Sequence, residues 1–293
     1  MPNINENRCT NCGACYDVCP YYVIGKGNRR GRFFIRYPEQ CRSCGHCIAA
    51  CPTGAMIHET LSCFDFKEAS KVEIASALLK EHILQRRSVR IYKDKAVSDQ
   101  DLDDLVETGT YGGTGANTQS VRFILITDKA FLTKLEKIVF DICWNAGLKF
   151  FGGKGPLFHL LSGKFGPEIT SWFRSYHDIF RHRRENGEIA GSVFRNAPAV
   201  ILAHDLTHNP LGAINCAVAL RNMELLAPAM GLGTCWTGYM ISAAANKSGA
   251  INTFLGLDKT RRIHGGIMVG YPKYRYSRII PRGLKMQTAR IQP

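Results

Sequence analysis

Read for the alternation of apolar and polar positions, the chain breaks into short helical and extended segments separated by glycine-rich turns. Residues 67–87, KEASKVEIASALLKEHILQRR, set Val72, Ala75, Leu78, Leu79 and Ile83 at helical spacing and predict an amphipathic connecting helix. Ser98 followed by Asp101 is a capping-box-like start for a helix running to about residue 109. The runs VRFILIT (121–127), Ala199–His204 and GGIMVGYP (265–272) predict strands, and a long helix is expected from about Leu211 to Met230. FFIRYP (33–38) predicts one strand of a hairpin. The mixture is an α+β pattern. No G-x-G-x-x-G sits between a strand and a helix, which removes the dinucleotide-binding reading.

Length and cysteine usage change this picture most. The 293 residues, 45% of them hydrophobic, suggest about two domains of ~150 residues each. No apolar run approaches the ~18 residues needed to cross a bilayer, and the start MPNINENRCT has no apolar signal core, so a cytoplasmic protein without membrane contact is expected. Eight of the 12 cysteines lie between residues 9 and 51, as CTNCGACYDVCP (9–20) and CRSCGHCIAACP (41–52). The pattern C-x2-C-x2-C-x3-C-P thus occurs twice. Three closely spaced thiolates wrap one face of a cubane, while the fourth, a helical turn away, points to the other cluster. Two [4Fe–4S] clusters are therefore expected, one on Cys9, Cys12, Cys15 and Cys51, the second on Cys41, Cys44, Cys47 and Cys19. Gly13 and Gly45 let the backbone turn tightly, and Pro20 and Pro52 stop each short helix. A pair of zinc sites is the competing reading, but tetrahedral zinc needs only four ligands per site and no such prolines. Over residues 3–60 the segment is similar to bacterial two-cluster ferredoxins, with a longer, basic insert between Cys19 and Cys41. That insert is either a dock for an acidic redox partner or a solvated loop. The module reads as a relay for single electrons.

The formal charge of +14 looks like a nucleic-acid signal. Two clusters with their thiolates take away roughly four of these charges. The basic residues are scattered over GKGNRRGR (25–32), RHRR (181–184) and KTRR (259–262), without an aromatic platform, so no nucleic-acid partner is expected.

Five further segments, in order, carry a resemblance: RRSVRIY from Arg86, the loop from Tyr111 to Ser120 with GTGANTQ, MGLGTCWTGY from Met230, VGYP, and an arginine-rich tail from Tyr274. Together, over about residues 78–285, they resemble the nitroreductase family of FMN enzymes. The resemblance implies an α+β sandwich holding FMN, after an N-terminal two-cluster domain. It implies phosphate and flavin-edge contacts from Arg86, Arg87, Ser88 and Arg90. It implies ring contacts from Thr114, Gly115, Asn117 and Gln119, backbone contacts from Cys235, Trp236, Thr237 and Gly238, and a phosphate hold by Arg278 and Arg282. It also implies a homodimer, with helix 213–229 as the interface. The family often has Pro-Ser before the glycine and Pro after the glutamine, where this chain has Gly113-Thr114 and Ser120. The expected division is 1–62 for the two-cluster domain, 63–80 for a linker, and 81–293 for the FMN domain.

The expected activity is FMN-dependent reduction of a small, flat acceptor such as a nitro compound, quinone or activated alkene. Electrons would enter through the clusters, from ferredoxin or another redox protein. The alternative is an electron-transfer adaptor or redox sensor whose flavin meets no organic substrate. No catalytic acid is assignable, and His159, His177 and His204 read as core or surface residues. The aromatic-rich stretch 140–195 reads as a long loop, either a substrate lid or packing against the N-terminal module. Cys63, Cys143, Cys216 and Cys235 read as small buried side chains.

Overall fold

A computed structural model of the chain describes residues 1–27, 31–62, 65–151 and 166–283; Cys63, Phe158 and His159 lie outside these, as do the side chains of Phe150, Phe151, Trp172 and Phe173. Two units form, Met1–Ile74 with Thr114–Gln119, and Ala75–Gly113 with Ser120–Pro293.

In the first unit, β1 (Pro2–Ile4) pairs antiparallel with β4 (Met56–His58), and β2 (Ile24–Lys26) with β3 (Phe33–Ile35). Two helical turns, α1 (Ala14–Asp17) and α2 (His46–Ala49), each follow a left-handed glycine, Gly13 at φ 85° and Gly45 at φ 76°. A Cβ there would approach the Phe33 ring to 2.9 Å and the Phe66 ring to 3.0 Å, so the conformation and the space both demand glycine. Ile24, Ile48 and Met56 form a small core on which the cysteines Cys15, Cys19, Cys47 and Cys51 pack.

The second unit is a helix–sheet–helix sandwich. Its antiparallel sheet runs in the order β5 (Arg122–Ile126), β6 (Ala199–Leu206), β8 (Arg261–Gly270), β7 (Gly233–Trp236). Strand β6 is buried on both faces, and its side chains alternate between two cores. Val200 and Leu202 join Leu135, Val139, Phe140, Phe180, Met240 and Ile251, from α5 (Lys129–Phe151), α6 (Pro167–Glu185) and α8 (Gly238–Phe254). Ile201 and Ala203 join Leu102, Leu105, Leu220 and Met223, from α4 (Asp99–Thr110) and α7 (Gly212–Leu226). Ser98 caps α4, its Oγ accepting from Asp101 N–H at 3.1 Å. Among the described residues no helix is long and apolar enough to cross a membrane.

Two expectations change. The connecting helix α3 covers only Ser76–Gln85, and Val72 and Ile74 ahead of it are exposed. Without a surface to bury that stretch, its β-branched residues do not sustain a helix. The stretch 140–195 is mostly helix rather than a long loop. Two of its described aromatics pack inward: Phe140 stacks on Phe180 at 4.7 Å, and Trp144 on His177 at 5.1 Å, while Tyr176 is exposed.

Where α4 ends, Gly112 meets the backbone of α7, so that a Cβ would lie 2.9 Å from Ala219 Cα. Gly109, by contrast, faces the flexible end of Met223. Gly112→Ala is therefore expected to destabilise by about 1–3 kcal/mol through overpacking. Gly109→Ala should cost less, and denaturant midpoints of the two variants would separate them.

At the bulge between Ala203 and His204, burial, reinforced by Arg261 and Arg122, holds the His204 imidazole down at about 4. The folded value lies below the ordinary one, so the unfolded chain binds the proton first. The contribution of neutral His204 is whole above pH ~6.5 and is lost as pH falls towards 4, at most about 3 kcal/mol. His204→Phe should flatten that part of the stability–pH curve measured by urea denaturation.

Candidate functional site

The eight cysteines of the two runs gather into two rings. One hollow is lined by Cys9, Cys12, Cys15 and Cys51, the other by Cys19, Cys41, Cys44 and Cys47. Each ring takes three thiols from one run and its fourth from the other. Burial, then repulsion from Cys44, Cys41 and Cys19, pushes the Cys47 thiol up to about 11. Burial, with repulsion from Cys51, Cys9 and Cys12, likewise raises Cys15. Rings that resist joint ionisation are suited to a cationic centre that compensates the thiolates. Among the described residues no three His, Cys, Asp or Glu side chains converge to hold a single ion. The sulfurs surround a hollow rather than a point, which fits a polynuclear cluster better than zinc. Backbone N–H groups already face them, Ser43 to Cys41 Sγ at 3.4 Å and Ala55 to Cys51 Sγ at 3.2 Å.

The loop Thr114–Gln119 belongs to this same unit. Ala116, Asn117 and Gln119 adopt left-handed φ values of 51°, 53° and 46°, costly for residues other than glycine. Side chains hold the shape: Gln119 N–H donates to Thr114 Oγ1 at 3.0 Å, and Gln119 Nε2 to Asn117 Oδ1 at 3.2 Å. The Asn117 Nδ2 group donates to the carbonyls of Arg42 (3.0 Å) and Ser43 (3.3 Å), between Cys41 and Cys44.

In the second unit the sequence-predicted residues divide. Arg86 pairs with the buried Glu224 at 3.2 Å, as Arg221 does at 3.0 Å. Arg87 Nη1 caps the end of α3 by donating to the carbonyls of Leu84 and Arg86, at 2.8 and 2.7 Å. Its Nε and Nη2 are buried without a partner among the described residues. Ser88 bridges to Thr234 at the start of β7, where Val89 N–H donates to Thr234 O at 2.9 Å. The segments from Arg86 to Arg90 and from Thr234 to Gly238 are thereby held side by side. A half-buried guanidinium, two of whose nitrogens lack a partner among the described residues, beside a hydroxyl and an edge strand fits an anionic group.

Burial raises the Cys235 thiol, and the exposed Arg90, with Arg195, offsets part of that rise. Arg195 acts in the same way on Tyr92 and Tyr239. It sits with Asn196 in left-handed backbone, φ 55° and 52°, and had no sequence signal to mark it. Arg278 and Arg282 are exposed on the tail, and none of the described contacts joins them to Arg87. Burial pushes Cys143 and Cys216 up to about 12, which leaves them as neutral packing thiols.

A pair of four-thiol rings in one unit and an α+β sandwich with an anion cradle in the other define a redox protein. Residues 83–271 match the model of the nitroreductase family, and residues 8–55 match the 4Fe-4S dicluster domain. The chain belongs to the nitroreductase family of oxidoreductases and carries a ferredoxin-type N-terminal domain.

The fold is shared with a crystal structure of a Bacteroides fragilis nitroreductase with bound FMN, at a TM-score of 0.52 and 22% identity, covering 73% of this chain and 98% of that one. A Bacillus subtilis FMN reductase (NADPH) is 24% identical over 161 residues, 54% of this chain and 53% of that protein, so the match spans about half of that relative. A ferredoxin of Methanocaldococcus jannaschii is 34% identical over 55 residues, 18% of this chain and 71% of that protein.

Proposed function

We propose that this chain reduces a small, flat organic acceptor, such as a nitro compound, quinone or activated alkene, with electrons received through its own iron–sulfur domain. The observation that carries the reading is the presence of two four-thiol rings in the same chain as a nitroreductase-family unit. When bound, FMN supplies two-electron transfer to the acceptor and the clusters supply single-electron carriage.

We assign Cys9, Cys12, Cys15 and Cys51 to one cluster and Cys19, Cys41, Cys44 and Cys47 to the other. Arg87 and Ser88 hold the FMN phosphate, and the backbone of Cys235, Trp236, Thr237 and Gly238 lies against the flavin. Arg90 and Arg195 supply positive charge beside Cys235. Arg86 serves Glu224 and so orients the segment rather than the phosphate. Of the loop residues, Thr114, Gly115 and Gln119 stay on the flavin side of this assignment. Asn117, whose amide is engaged by Arg42 and Ser43, is placed on the iron–sulfur side. Arg278 and Arg282 are assigned to phosphate through the family resemblance alone.

A homodimer is part of the same proposal. On the second unit Leu78 and Leu79 of α3, and Ile214 and Val218 one turn apart on α7, are exposed apolar side chains. A second copy of the chain is their natural cover, and Ile214→Asp with Val218→Asp should yield a monomer in light scattering.

The routing is tested by anaerobic stopped-flow spectroscopy of the holoprotein, with cluster and flavin bleaching followed separately. Reduced ferredoxin should bleach the clusters before the flavin. Rapid flavin reduction by NADPH with the clusters still oxidised would overturn the route. An absence of turnover with every acceptor, alongside fast reduction of a redox partner, would favour the adaptor reading.

A further inference from the structure

We propose that His58 raises the reduction potential of the cluster on Cys19, Cys41, Cys44 and Cys47 by donating its Nε2–H to Cys41 Sγ. The inference rests on reading the two thiol rings as [4Fe–4S] sites.

The tautomer follows from the other side of the ring. Thr60 N–H donates to His58 Nδ1 at 3.2 Å, so Nδ1 presents a lone pair and the ring proton sits on Nε2. Nε2 then faces two atoms, Cys41 Sγ at 3.6 Å and Ser43 Oγ at 3.5 Å. The serine hydroxyl can turn to accept or donate, whereas a thiolate can only accept. Cys41 thus has an imidazole donor in addition to the Ser43 backbone N–H at 3.4 Å. The last position of β4, opposite Pro2, fixes the ring in place.

The twin ring lacks this arrangement. The two cysteine runs start at Cys9 and Cys41, 32 residues apart, so the counterpart of His58 is Lys26. Lys26 is exposed, and the side-chain partner of Cys9 is the Asn11 amide, its oxygen towards the sulfur at 3.8 Å. Cys51 receives the Ala55 N–H and lies 3.8 Å from the Thr53 hydroxyl. Among the described contacts of that ring there is no imidazole.

Reduction adds one electron to a cluster with no bond made or broken and no proton moved. The added charge spreads over the sulfurs, so an N–H···S bond is stronger in the reduced form and favours it. The ring that His58 serves is also the one whose Cys41–Cys44 segment holds Asn117.

Spectroelectrochemical titration of the holoprotein, read by electron paramagnetic resonance, tests this with His58→Met and His58→Gln. The wild type should show two one-electron steps. His58→Met should lower the reduction equilibrium constant of one step about tenfold, which is about 59 mV, and leave the other in place. His58→Gln, which keeps an N–H, should recover at least half of that shift. The proposal is overturned if neither step moves, if both move together, or if Gln behaves as Met. Should the Met variant fail to load, hyperfine spectroscopy of reduced His46→Gln protein with 15N-histidine decides, because with His46 gone from the same hollow a nitrogen coupling to one cluster must come from His58. Zinc in place of roughly eight irons per chain would sink the cluster reading, and the proposal with it.

Discussion

Replacing Arg87 by alanine is expected to raise the FMN dissociation constant about 10- to 100-fold while changing the unfolding midpoint of the apoprotein little. Its Nε and Nη2 lie buried without a partner among the described residues. A charge-assisted hydrogen bond from such a group is worth about 1.5–3 kcal/mol, and each ~1.4 kcal/mol is tenfold in affinity. Among the described contacts, what alanine removes from the folded chain is a pair of bonds capping α3. Arg86→Ala should do the reverse, because it strips a partner from Glu224, which is 3% exposed, and leaves that carboxylate to Arg221. Flavin fluorescence titration and apoprotein melting on the two variants give a crossed pattern. If Arg86→Ala releases FMN and Arg87→Ala does not, the phosphate cradle has been assigned to the wrong arginine.

The largest stability loss is expected from Glu136→Ala. This carboxylate on α5 is 6% exposed and accepts three backbone N–H groups, from Gly191 at 2.8 Å, Val193 at 2.7 Å and Phe194 at 2.9 Å. It organises a turn that has no other regular structure. Alanine leaves three donors without an acceptor, at about 1–3 kcal/mol each, so a loss of about 4 kcal/mol is expected. For a unit of this size that corresponds to a fall in Tm of roughly 10 °C. Glu136→Gln keeps one accepting oxygen and should lie between. A fall under about 2 °C for the alanine variant would show that water replaces the carboxylate and that the turn holds itself. The same turn leads directly into Arg195, which offsets part of the rise that burial imposes on the Cys235 thiol, so the variant should push that thiol further up.

The elements written in short-range chemistry were legible in the sequence. The cysteine spacing, the two glycines ahead of α1 and α2, the Ser98 cap and the apolar runs of β5, β6 and β8 all act within a few residues. What was not legible depends on distant partners. The aromatics after residue 140 read as a loop, but Phe140 and Trp144 lie on the inward face of α5 because α6 supplies Phe180 and His177 opposite them. Conversely, residues 67–75 have helical spacing but stay exposed and form no helix. Within the candidate site the divergence is similar. Arg86 and Arg87 are neighbours of the same type, and only the buried Glu224 on a remote helix separates their roles. The Asn117 amide donates to the carbonyls of Arg42 and Ser43, 75 and 74 residues away in the chain, partners that no local pattern marks. His58 and Arg195 carry no motif at all.

The exchange of the fourth thiol between the two cysteine runs has a consequence for how the protein is matured. Cys51 closes the ring begun by Cys9, and Cys19 closes the ring begun by Cys41. Filling either ring therefore clasps both runs together, and the chain entropy of bringing the remaining four thiols into place has then largely been given up already. Iron insertion should accordingly be all-or-none: native mass spectrometry of partially matured protein would show empty and doubly loaded chains, with few carrying a single cluster. The repeat behaves as a buckle, and neither half of it can be fastened alone.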